Sequence, residues 1–179
     1  MDIEKPFNRY KKNIHSEAGE DGVIEEILNR LGIDKNGERW CVEFGAWDGI
    51  HFSNTFALVE KGWNAIYIEG DQEKYENLLT TAKQHSNIIP INAMVARSSL
   101  DVNSLDSLLA KTSIPMDYDV LSIDIDSYDL DVWESTAGSP KIVVIEINSG
   151  VLPGIIWRHS TNTQGNSFTA TINVAKEKE

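Results

Sequence analysis

Apolar and polar positions along this chain follow two periods, and the places where the period changes mark its elements. Short apolar runs, too brief for helices and rich in β-branched residues, predict strands over 40–44, 65–69, 87–93, 119–124 and 141–147. Between them apolar residues recur at helical spacing. Val23, Ile24, Ile27, Leu28 and Leu31 form one such face, closed by Gly32. Phe56, Leu58 and Val59 form a second, capped by Ser53 or Asn54 and stopped at Gly62. Tyr75, Leu78, Leu79 and Ala82 form a third, and residues 100–111 a fourth around Leu105, Leu108 and Leu109. A fifth helix starts at Asp126-Ser127-Tyr128-Asp129 and runs through Trp133. Strands alternating with helices predict an α/β fold, a Rossmann-like three-layer sandwich on a mostly parallel sheet of about five strands. Pro90 cannot donate to a ladder, which puts the third strand at an edge.

The first two strands and the helix between them make one βαβ crossover. Its turn reads Glu43-Phe44-Gly45-Ala46-Trp47-Asp48-Gly49, and its second strand ends in Glu69. A carboxylate at that tip can accept both hydroxyls of a ribose, so a nucleoside-containing cofactor is expected. The dinucleotide fingerprint Gly-x-Gly-x-x-Gly is absent. Acids at Glu43 and Asp48 would repel a pyrophosphate and suit a cationic sulfonium with its amino group.

In a parallel sheet, ligands bind beyond the C-terminal ends of the strands. Glu43 to Asp48, Glu69, Asn92, Asp124, Asp126, Glu146 and Asn148 all fall at those ends. The run Asp124-Ile125-Asp126-Ser127-Tyr128-Asp129-Leu130-Asp131 is not an EF-hand, because the required Gly and Glu positions hold Asp129 and Ser135. Asp124 and Asp126 fit three roles. They could hold Mg²⁺ with Glu146 or Asn148, act as a general base on a substrate hydroxyl, or cap the following helix. Asp129 and Asp131 are expected in the solvated first turn of that helix. A metal-independent site is favoured over Mg²⁺, because Asp124 can also serve a cofactor's ammonium group. No histidine lies within 124–148, which disfavours a transition metal.

At 179 residues the chain suits one domain spanning 1–179, with 1–15 as a flexible N-terminal segment. The net charge of −12 makes nucleic acid and anionic membrane poor partners. The single cysteine, Cys41, excludes a disulfide framework and reads as a buried small hydrophobe. No apolar run reaches membrane-spanning length and the first residues lack a secretory pattern, so the expectation is cytoplasmic.

Taken in order, several motifs resemble the FkbM-like branch of the class I S-adenosylmethionine-dependent methyltransferases. They are Gly19-Glu20-Asp21-Gly22, Val42 to Gly49 with Ser53-Asn54-Thr55, Ile68-Glu69-Gly70-Asp71, Leu121 to Tyr128, and Ile145-Glu146-Ile147-Asn148. The likeness covers residues 16–150. It implies a seven-stranded sheet, S-adenosylmethionine as methyl donor, and O-methylation of a sugar, glycolipid or natural-product hydroxyl. By the same likeness Glu43, Gly45, Asp48 and Gly49 surround the methionine moiety, with Ala46 and Asn54 in the cofactor-binding set. Glu69 takes the ribose, Asn92 lies near the adenine, and Asp124 and Asp126 are the catalytic candidates. Glu17 stands where the family often has glutamine. Residues 165–178 resemble the family's late helix, and its final antiparallel strand pair is missing. An exposed last strand suggests a homo-oligomer. Two other functions remain open: a nucleotide-binding Rossmann-like enzyme, and an inactive scaffold on the same fold.

Overall fold

The computed structural model describes residues 6–33 and 38–178. Five strands form one sheet: β1 (Trp40–Phe44), β2 (Asn64–Glu69), β3 (Ile88–Asn92), β4 (Val120–Ile123) and β5 (Ile142–Ile145). They lie in the order β3-β2-β1-β4-β5, and every pairing is parallel. The connections run outward from β1 to β3, then jump back to β4 on the other side of β1. That reversal opens a crevice above the C-terminal ends of β1 and β4. Pro90 sits in β3, at one edge of the sheet.

Alternate side chains of each strand enter one of two cores, which makes the three layers. Val42, Phe44, Ile66, Ile68, Leu121 and Ile123 pack on α4 (Leu105–Leu109), α5 (Asp129–Ser135) and α6 (Phe168–Lys178). Cys41, Ala65, Tyr67 and Val120 pack on α1 (Glu20–Leu31), α2 (Phe56–Val59) and α3 (Gln72–Gln84). With both faces covered, β1 is buried at every position, including Glu43. Cys41 is fully buried, and burial pushes its thiol far above the ordinary value.

Three local expectations change. The fourth helix is shorter than 100–111: it starts at Leu105, where the Ser104 hydroxyl accepts from Ser107 N–H at 3.2 Å, and Leu100 is 95% exposed. The fifth begins at Asp129 rather than Asp126. Asp129 is not solvated but 1% exposed, because its carboxylate turns inward to accept from Ile125 N–H and Ser127 N–H.

Residues 1–5 of the expected N-terminal segment and 34–37 of the loop after α1 lie outside the described residues. Residues 6–15 run back over the start of α1, where the Asp21 carboxylate accepts from the amides of Ile14, His15 and Ser16. A Cβ at Gly22 would overlap the Tyr10 carbonyl, so the Gly-Glu-Asp-Gly motif holds this crossing together.

Candidate functional site

A cleft of about 660 Å³ opens at the crevice above β1 and β4. Among the sequence candidates, Glu43, Gly45, Ala46, Glu69, Asp124 and Asp126 line it. Seven carboxylates face it (Glu17, Glu43, Glu69, Asp71, Asp124, Asp126 and Glu146), against one lysine, Lys74.

The glycine turn shapes the floor. Gly45 N–H and Ala46 N–H both donate to the Ile68 carbonyl, at 3.1 and 3.2 Å, and Trp47 N–H donates to Glu69 Oε2 at 2.8 Å. These three amides are spent inside the protein, so this turn presents none of them to a phosphate. Glu69 is fixed from its other side by Asp71 N–H, 2.7 Å from Oε1. Each carboxylate oxygen keeps a further lone pair for a ligand.

Glu43 is 5% exposed, and burial raises its pKa. It accepts from Ser53 Oγ at 2.7 Å, from Asn54 N–H at 3.1 Å and from the Thr55 hydroxyl. It therefore ties β1 to the start of α2 as well as bordering the cleft.

Four candidates stand off the cleft lining, each for a visible reason. The Asp48 carboxylate caps its own turn, accepting from Ile50 N–H and His51 N–H. Gly49 faces the core, where a Cβ would approach Leu78 Cδ1 to 2.8 Å. Asn54 donates to Ser122 Oγ at 3.1 Å, and Asn92 to the Glu69 carbonyl at 3.0 Å. Ala93, Met94 and Val95 line the cleft where Asn92 was expected.

Asp124, Asp126 and Glu146 offer carboxylate oxygens that all lie within 4.8 Å of one another. This arrangement fits a divalent cation with oxygen ligands. It also raises proton affinity. Asp124 is exposed to the cleft, yet partial desolvation, then the negative charges of Glu146, Asp126, Asp129 and Glu43, push it up to about 7. Partial desolvation, Asp126, Asp129 and Glu17 raise Glu146, also exposed, as well. Asn148 joins neither role: its side chain donates to the Gln164 carbonyl and accepts from Gly150 N–H. A side recess of about 180 Å³ adjoins the cluster, sharing Asp126 and Glu146 with the cleft and adding Asn148, Ser149, Gln164 and Gly165.

Sequence reasoning missed an aromatic wall. The rings of Trp47, His51 and Phe52 follow one another, with centroids 5.1 and 3.9 Å apart, and Lys74 Nζ lies 5.1 Å from the Trp47 ring centroid. Among the described residues, the non-glycine residues with positive φ are Trp47, Phe52 and Asp126, and all three line this cleft. Such conformations cost about 1–3 kcal/mol each and concentrate at ligand sites. Bulky residues carry no sequence signal for them.

Neither a protein-family model nor any curated protein matches this chain. Solved structures do resemble it. The N-terminal domain of EvdMO1, solved in the presence of SAH and D-fucose, superposes with a TM-score of 0.52 at 13% identity, over 86% of this chain and 70% of that one. M. capricolum TrmK, solved with its natural cofactor product S-adenosyl-homocysteine (SAH), gives 0.42 at 16% identity, over 66% of this chain and 50% of that one. The METTL16 MTase domain gives 0.40 at 16% identity, over 56% of this chain and 38% of that one. The match thus spans half or less of the TrmK chain and of the METTL16 MTase domain. The fold is shared with the EvdMO1 domain.

Proposed function

We propose that this chain is an S-adenosylmethionine-dependent methyltransferase of the FkbM-like type, acting on a hydroxyl of a small molecule or sugar. The observation that carries this proposal is the cleft at the β1/β4 crevice, where Glu69 and Asp124 border one cavity while the glycine-turn amides are spent inside the fold. A dinucleotide would need those amides for its pyrophosphate; a sulfonium cofactor does not. The acidic lining suits a cationic ligand and disfavours nucleic acid. The structural relative solved with SAH supports the same cofactor class.

S-adenosylmethionine supplies an electrophilic methyl group when bound. Glu69, immobilised by two amides, accepts the ribose hydroxyls. Gly45 and Ala46 leave the floor open for the methionine portion, and Ala93 to Val95 border the adenine side. Asp124 orients the acceptor hydroxyl and takes its proton as the oxygen becomes a methyl ether; its raised pKa matches that task near neutral pH. Asp126 and Glu146 sustain the raised proton affinity, with no metal required.

Among the described residues no helix is long and apolar enough to cross a membrane. The cytoplasm is the proposed compartment. Self-association is proposed at β5, an edge strand of β-branched residues flanked by an apolar groove between α1 and α6. Light scattering over a concentration series tests that point. The cofactor is tested by thermal shift: SAH raises the melting temperature and NAD does not. A shift with NAD alone would replace the methyltransferase assignment with a dinucleotide enzyme.

A further inference from the structure

Charged residues make up 25% of this chain, yet residues 147–157 contain none. Within that loop Leu152 is 71% exposed, Ile155 47%, Ile156 67% and Trp157 37%. Contiguous exposed apolar side chains mark an interaction surface. The loop bulges outward: Gly154 has φ +95°, and a Cβ there would meet nothing within 4 Å.

Five of its backbone amides are paired within the fold. Gly150 N–H donates to Asn148 Oδ1, Val151 N–H to the Asn148 carbonyl and Ile155 N–H to the Leu152 carbonyl. Gly154 N–H donates to Thr169 Oγ1 at 2.7 Å, and Trp157 N–H to Ser167 Oγ at 3.1 Å. Ser167, fully buried, donates its hydroxyl to the Ile155 carbonyl and its N–H to the Trp157 carbonyl. With these five paired, the loop presents no continuous row of free amides to a protein strand, and an apolar medium favours amides that arrive paired.

The polarity gradient has the same direction. An aliphatic tip is followed by Trp157, then by Arg158 and His159, with Arg158 held by Asp131 and Glu134. Aliphatic tip, indole, then polar collar is the depth profile of an interfacial anchor. The geometry points to this loop as a docking element for a lipid surface without net charge. The net charge of −12 opposes an anionic one. Asn148 and Ser149, at the root of the loop, line the recess beside Asp126 and Glu146, so docking brings that recess to the lipid. This interaction does not depend on which cofactor the cleft holds.

The test is sedimentation of the full chain with phosphatidylcholine vesicles. Wild type co-sediments, equally well at low and high salt, and less with phosphatidylserine present. A Leu152→Ser, Ile156→Ser double variant loses at least fivefold in bound fraction while its circular dichroism is unchanged. Leu152→Asn alone, at the most exposed of these positions, gives a smaller loss in the same direction. Absence of wild-type binding, or equal binding by the variants, overturns the proposal. So does light scattering that shows a wild-type dimer dissociated by the double variant, since a second copy would then cover the loop.

Discussion

Gly45 and Asp124 meet backbone to backbone: a Cβ on Gly45 would overlap the Asp124 carbonyl oxygen. The contact joins the ends of β1 and β4, at the crevice where the cleft opens. Gly45 also has φ +79°, in the left-handed region that other residues enter at a cost. Gly45→Ala therefore disturbs the fold itself, and not only the space for a ligand. The expected loss is about 2–4 kcal/mol of stability, read from urea unfolding. A variant as stable as wild type would show that the two strand ends move apart freely.

Asp129 sets the turn that carries Asp126. Its carboxylate accepts from Ile125 N–H at 2.8 Å and Ser127 N–H at 2.9 Å, spanning Asp126 at φ 56°. Asp129→Ala strands two amides and removes a buried charge-assisted pair of bonds. A loss of about 2–3 kcal/mol is expected in chemical denaturation. An unchanged midpoint would mean that the turn holds without its acid.

On the proposed function, Asp124 makes both turnover and stability depend on pH. Its folded-state pKa of about 7 stands above the ordinary 3.8, from partial desolvation first and neighbouring acids second. The folded protein thus holds an extra proton between those values. The corresponding stability is fully present below the lower value and is lost as pH rises through about 7. Asp124→Asn should flatten this loss and be more stabilising at alkaline than at acid pH. The proposed methyl transfer would need the ionised form, so turnover should rise with pH through the same region and vanish in the variant. A pH–rate profile flat across neutrality would remove Asp124 as the base.

If the three clustered carboxylates act without a cation, EDTA leaves turnover unchanged, and Asp126→Asn lowers turnover with cofactor affinity little altered. Turnover lost to EDTA and restored by Mg²⁺ would instead assign Asp124, Asp126 and Glu146 as ligands.

The strands were legible because all five are apolar runs of the right length, and Pro90 marked an edge correctly. Helix starts were less so. Residues 100–111 have helical periodicity, but Ser104 competes for the backbone and begins the helix late. At the site, strand ends identified Glu43, Glu69, Asp124 and Asp126, since parallel topology alone brings those positions together. Orientation was hidden. Glu43 is bound by hydroxyls from 53–55, and Asp48 by amides of its own turn; neither choice follows from residue type. Trp47 and Phe52 entered the cleft through left-handed backbone that only the folded turn imposes.

The central claim rests on Glu69, 6% exposed and held by the amides of Trp47 and Asp71. Charge-assisted bonds from a ribose are worth about 1.5–3 kcal/mol each, so losing even one costs roughly tenfold in affinity or more. The most direct measurement is calorimetric titration of wild type and Glu69→Ala with SAH, each checked for fold by circular dichroism. The account predicts saturable binding by wild type and at least about tenfold weaker binding by the folded variant. No heat of binding with wild type, or equal affinity in the two proteins, would contradict it.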